Sequence, residues 1–310
     1  MWKAKMLTLR ITPKKLSIPF CCCLFILNFM YYYVENSFAQ TEKSICESNI
    51  IYGQGGDEKL VLDICQPARG NGPFPGLVWI HGGGWGYWFT PRSQCPIDTA
   101  ASKGFVAISI DYRSTSTKDS NGKVKYPFPA QIEDVKCAIR WLRANAQKYR
   151  VDPQHIGIVG FSSGGHLALL AGFTESADGF EGNGGNAGIS SRVQAVVCSA
   201  GMVEAVSFYE NQISYAQRVE LLLGGKPGES PALYKAASPL THVRRNNPPT
   251  LFFQGDIDTL CPPAQAQLLK NKMSDVGASC TVIIKQGKGH VTFFSEPSLW
   301  SFLDDHLKIH

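Results

Sequence analysis

The sequence predicts an α/β fold, a mostly parallel central sheet with helices on both faces. Short apolar runs of strand length alternate with amphipathic stretches of ten or more residues, the pattern of βαβ units. The chain has 310 residues, 44% of them hydrophobic, with 30 glycines and 18 prolines. That suits one large domain, and is too short for two ordinary domains plus a linker. No internal repeat or sustained low-complexity tract interrupts it, which argues against a solenoid or a disordered scaffold.

The elements follow in order. Asn49–Gly53 and Lys59–Cys65 read as the arms of a hairpin. Gly76–His81 (GLVWIH) is a strand that ends in glycines, and Phe105–Asp111 (FVAISID) is another. Ala130–Tyr149 carries Ile132, Val135, Ile139 and Leu142 at helical spacing. Ile156–Phe161 is a strand running straight into Ser162, and HLALLAG after it is helix-like. Val193–Cys198, Thr250–Gln254 and Thr281–Lys285 are further buried strands, whereas Pro263–Val276 and Ser298–Lys308 are helical. In such sheets chemistry collects at the carboxyl ends of the strands, so reactive residues are expected just after them.

Residues 1–39 read as a targeting segment. Lys3, Lys5, Arg10, Lys14 and Lys15 against Glu35 place four units of the +5 net charge there, leaving the remainder near neutral. The basic stretch leads into the apolar run Ile18–Val34, and Ser37 and Ala39 satisfy the small-x-small rule for cleavage after Ala39. The alternative is an uncleaved anchor, since the apolar run approaches the length that spans a bilayer. Cleavage leaves 40–310 as one exported domain without stable membrane association. With only the pair Arg244–Arg245 as clustered cations outside this segment, nucleic-acid binding is disfavoured. Export permits disulfides. Of the seven cysteines after residue 39, Cys46 and Cys65 flank the hairpin and could face each other across it; an odd count leaves at least one thiol free, and Cys198, in an apolar run, reads as buried. No CxxC or Cys/His cluster suggests a metal, and no cofactor is implied.

The reactive constellation begins at GFSSGG. A serine on a tight strand-to-helix turn needs glycine two positions away on either side, where any side chain would meet the strand or helix. Ser162 has Gly160 and Gly164; Ser163 would have Phe161 and Gly165, and fails. Ser162 is the candidate nucleophile. Negative charge developing on a carbonyl oxygen calls for backbone N–H donors on a closely approaching loop. The glycines of His81-Gly82-Gly83-Gly84-Trp85 follow a strand and suit this, with the amides of Gly83, Gly84 and Ser163 as the expected oxyanion hole. Serine also needs a base. His166 lies one helical turn beyond Ser162 on the same helix and reads as a packing or supporting residue; a base must approach from another element. His290, after TVIIK and a glycine-containing loop, is better placed. For the orienting carboxylate, both Asp256 and Asp258 follow the strand LFFQ, and position alone does not choose between them.

HGGGW, DYR at 111–113, YPFPAQIEDVKCAIRWLRANA, GFSSGGHLA, GDID and GKGH together resemble the α/β-hydrolases of the esterase and lipase group. That group includes carboxylesterases, acetyl esterases and feruloyl-esterase-like carbohydrate esterases, and the resemblance covers nearly all the chain after residue 39. It implies the α/β-hydrolase fold and a serine esterase acting on short-chain acyl esters of small-molecule or saccharide alcohols. Its G-x-x-D pattern implies Asp258 as the acid, counted from Gly255, with His290 as the base. Two departures stand out: Gln254, where the group often has histidine, and Val197–Gly201, which differs from the usual motif and leaves the pocket wall unassigned. Little sequence precedes the first strand, so no large cap or propeller is expected. Trp85, Tyr87, Trp88 and Phe89 could contact substrate or simply pack, and the glycine- and asparagine-rich stretch Asp178–Ser190 could be a loop near the mouth or only surface. A peptidase acting on short peptides and a catalytically silent binding protein of the same fold are the alternatives.

Overall fold

The computed structural model describes residues 44–86 and 91–308. The targeting segment and its cleavage site, and Tyr87, Trp88 and Phe89, lie outside the described residues. The strands are β1 Ser44–Gly55, β2 Glu58–Pro67, β3 Phe74–Ile80, β4 Val106–Ile110, β5 Val151–Phe161, β6 Ala195–Ser199, β7 Thr250–Gly255 and β8 Cys280–Lys285. They form a single sheet in the order β1-β2-β4-β3-β5-β6-β7-β8. β2 pairs antiparallel with β1 and β4, and every other pairing is parallel.

The helices are α1 Ile97–Ser102, α2 Ala130–Ala144, α3 Ala146–Tyr149, α4 Ser163–Phe173, α5 Ala205–Asn211, α6 Ile213–Leu223, α7 Pro231–Ala236, α8 Pro263–Asp275 and α9 Pro297–Leu307. Alternation along β3 shows why both faces are covered. Val78 and Ile80 join one core with α2, α4 and α8, while Leu77 and Trp79 join a second core with α1 and α9. All four side chains are fully buried, as a strand sandwiched between two helical layers requires.

The single helix expected over 130–149 is two. Asn145 turns its side-chain amide back to donate to the Trp141 carbonyl at 2.8 Å, and the chain restarts as α3. β5 begins five residues earlier than its apolar run suggests, because Val151 pairs with Phe74. Cys46 and Cys65 are opposite each other in the β1–β2 register and are disulfide-bonded. Cys198 is a buried free thiol.

The glycine-rich stretch 178–190 belongs to the surface reading and is not at the mouth. Glu181 within it pairs with Lys136 and Arg140 of α2, the Gly184 carbonyl accepts from the Gln54 amide of β1, and Arg143 reaches the Ser190 carbonyl. Cover over the carboxyl ends of the strands comes instead from α5–α7, inserted between β6 and β7. Their shortness, with breaks at Gln212 and Gly224, leaves no long periodic pattern in the sequence. Among the described residues no helix is long and apolar enough to cross a membrane.

Candidate active site

The strand order reverses direction at β3, whose neighbours are β4 on one side and β5 on the other. Ile80 is level with Gly160 across β3–β5, so the chains leaving these strands emerge side by side. One is the glycine loop and the other the Ser162 turn. β7 and β8 deliver two more loops to the same edge.

Ser162 sits at φ 56°, ψ −120°, a conformation that costs a non-glycine residue about 1–3 kcal/mol. Backbone bonds hold it there: its amide donates to the Ser199 carbonyl at 2.8 Å, and its carbonyl accepts from the His166 amide at 3.0 Å. The flanking glycines are sterically obligatory. A Cβ at Gly160 would lie 2.1 Å from the Gly164 carbonyl oxygen, and one at Gly164 would lie 2.2 Å from that of Ile80.

His290 reaches Ser162 from the loop after β8. Its Nε2 is 2.9 Å from Ser162 Oγ and its Nδ1 is 2.8 Å from Asp258 Oδ2. With Nδ1–H donating to the carboxylate, Nε2 is left as an acceptor for the serine hydroxyl. The Asp258 side chain is fully sequestered, and a buried carboxylate needs its lone pairs met. Oδ1 accepts from the Leu260 and Cys261 amides, both at 2.8 Å, and Oδ2 also accepts from Gln254 Nε2 at 3.3 Å. Asp256 has a different partner: its Oδ1 accepts from the Lys288 amide at 3.2 Å, tying together the loops after β7 and β8.

Gly83, Gly84 and Trp85 all take positive φ, at 118°, 63° and 60°, which curls the loop over the strand ends. Two aromatic residues brace it. Tyr112 stacks on His81 at 4.6 Å, and His81 Nδ1–H donates to the Gly82 carbonyl at 2.6 Å. The Trp85 ring is buried, with its Nε1–H donating to His166 Nδ1 at 3.0 Å. His166 in turn donates from Nε2 to the Ala237 carbonyl at 2.7 Å. Both of its nitrogens are therefore engaged away from Ser162, and burial pulls its pKa down to about 4.

Gly84, Trp85, Ser162, Ser163 and His290 line one small pocket, with Gly83 just before them in the loop. The pocket's empty volume is about 260 Å³. Its remaining wall is not anticipated by the sequence: Ala200 and Met202 after β6, Phe208 of α5, Tyr215 of α6, and Leu260 and Cys261 after Asp258. α6 lies so close to the glycine loop that a Cβ at Gly84 would be 3.0 Å from Arg218 and 3.1 Å from the Tyr215 hydroxyl. The apolar residues of 205–223 are the available signal for these helices, and Ala200 falls in the Val197–Gly201 segment that departs from the esterase pattern. Among the described residues no group of His, Cys, Asp or Glu could hold a metal ion.

A family model described as BD-FAE matches residues 62–273. Esterase LipQ of Mycobacterium tuberculosis is 29% identical over 79% of this chain and 57% of its own length. The chain thus spans little more than half of that relative. Among solved structures, a truncated carbohydrate esterase from gut microbiota superposes with a TM-score of 0.73 at 31% identity, covering 86% of this chain and 97% of that one. A thermophilic esterase from Thermogutta terrifontis with bound propionate gives a TM-score of 0.65 at 25% identity, over 86% and 92% of the two chains. These similarities bear out the α/β-hydrolase fold and the resemblance to esterases.

Proposed function

The chain belongs to the BD-FAE family, and from that premise we propose that it is a serine esterase that removes short acyl groups from a small-molecule or saccharide alcohol. The observation that carries this reading is the hydrogen-bonded line from Asp258 through His290 to Ser162 Oγ. It lies beside a glycine loop, at the strand ends where α/β sheets gather their chemistry.

Each residue then has a defined task. His290 Nε2 takes the Ser162 proton as Oγ attacks the ester carbonyl. Asp258 holds the tautomer and stabilises the imidazolium that results. The amides of Gly83, Gly84 and Ser163 receive the charge that develops on the carbonyl oxygen, and as backbone groups they need no reorganisation. His290 returns the proton to the leaving alcohol oxygen, leaving an acyl-serine. Water, deprotonated by His290, releases the acid and restores Ser162. The two half-reactions balance without a metal, oxidant or cofactor.

The pocket beside Ser162 is closed in by Met202, Phe208, Tyr215, Leu260 and Cys261, which supports a short acyl group. A saccharide alcohol is supported by the similarity to a carbohydrate esterase. Export is part of the proposal, and the Cys46–Cys65 disulfide supports an oxidising destination.

Hydrolysis of aryl esters from acetyl to octanoyl, alongside acetylated xylan, tests the reading. Turnover should be highest for the shortest acyl groups. Ser162→Ala and His290→Ala should each lower kcat by about 10⁴–10⁶-fold while the protein stays folded. Undiminished ester turnover in either variant would remove the proposal.

A further inference from the structure

The hydrogen-bond cradle of the acid and one wall of the acyl pocket are the same short loop. Leu260 and Cys261 donate their amides to Asp258 Oδ1, and both residues also line the pocket at Ser162. Cys261 is 2% exposed, and burial holds its thiol well above the usual range. It therefore stays a neutral, uncharged piece of wall. Tyr215, on the facing helix α6, lines the same pocket. Cys261 and Tyr215 thus bound the pocket from two different elements.

Gln254 stiffens this loop from behind. It is fully buried and does not line the pocket. Its Nε2 donates to the Cys261 carbonyl at 2.8 Å, to its neighbour Gly255 at 3.1 Å and to Asp258 Oδ2 at 3.3 Å. One amide group thereby joins the start of the loop, the acid and the pocket wall. Among the described residues its Oε1 has no hydrogen-bond partner.

We propose that acyl-chain length is read through the acid: Cys261 sets the limit, and an acyl group that presses on it displaces the amides that position Asp258, with Gln254 as the positioning residue resisting that displacement. The inference rests on the serine-esterase reading above. Discrimination against long chains should then appear in kcat, because the misplaced group is Asp258. A wall that merely blocks entry would act on KM instead.

The test is kcat and KM of the full chain on aryl acetate, butyrate and hexanoate, in wild type, Cys261→Ala, Gln254→Met and Gln254→His. Trimming the wall in Cys261→Ala should raise the hexanoate-to-acetate kcat ratio at least tenfold. Removing the brace in Gln254→Met lets the wall carry Asp258 further for the same push, so that ratio should fall at least tenfold. Gln254→His, which retains a ring N–H donor, should keep a ratio closer to wild type than Gln254→Met does. A simple steric wall responds oppositely at 254, since loosening it would admit longer chains. A ratio that rises or stays within twofold in Gln254→Met overturns the coupling, as does an unchanged ratio in Cys261→Ala. Absence of turnover on every ester by the wild-type protein would instead remove the esterase reading itself.

Discussion

Two aspartates two positions apart end up with different partners, and the difference is measurable. Asp258 accepts from His290, while Asp256 accepts from a backbone amide at Lys288. Asp258→Asn should lower kcat by about 10⁴-fold, because an amide in that place favours the wrong imidazole tautomer. Asp256→Asn should cost only a few-fold, since an amide oxygen can still accept from Lys288. Steady-state kinetics of the two variants decide it, and the reverse order would exchange their roles. In the sequence, position alone leaves the choice between these two residues open, and only the family resemblance favours Asp258. Ser162 is legible from steric reasoning, because a Cβ at 160 or 164 has nowhere to go. The pocket wall is not legible. Phe208, Tyr215 and Cys261 come from three separate stretches, and nothing local in any of them refers to Ser162.

At the level of elements, the strands are the easiest to read and the cover over them the hardest. A strand buried on both faces is a continuous apolar run, as in β3 and β6. Short helices over a site are half exposed and interrupted, so α5–α7 carry little periodic signal. The β1–β2 hairpin lies at the sheet edge, where β1 has a single strand neighbour. The Cys46–Cys65 bond joins it across a sequence separation of 19, for which loop-closure entropy gives about 3 kcal/mol. The double variant Cys46→Ser/Cys65→Ser should melt roughly 5–10 °C lower by calorimetry with the Ser162 site still active. An unchanged melting temperature would mean the bond contributes nothing to stability.

For the whole molecule, acid stability follows from burying neutral histidine. His166 has a pKa lowered from 6.5 to about 4 by burial, and the Ala237 hydrogen bond only partly opposes this. The unfolded chain takes up a proton at this residue near pH 6.5, and the folded protein does not until near pH 4. Stability is thus retained above pH 6.5 and lost as the pH falls toward 4, by about 3 kcal/mol. Burial lowers the His81 pKa in the same direction. Urea unfolding at pH 7 and pH 4.5 should show this loss in the wild type and a smaller one in His166→Gln; equal losses would exclude His166 as the source. The same histidine buttresses Trp85 in the glycine loop, so global stability and the geometry around Ser162 share one contact. Every step of the proposed chemistry depends on Ser162 being the residue that attacks. The most direct measurement is stoichiometric reaction with an aryl phosphonate followed by peptide mass spectrometry. The expected result is a single adduct on Ser162, greatly slowed in His290→Ala, whereas an adduct on Ser163, or labelling that persists in Ser162→Ala, would contradict it.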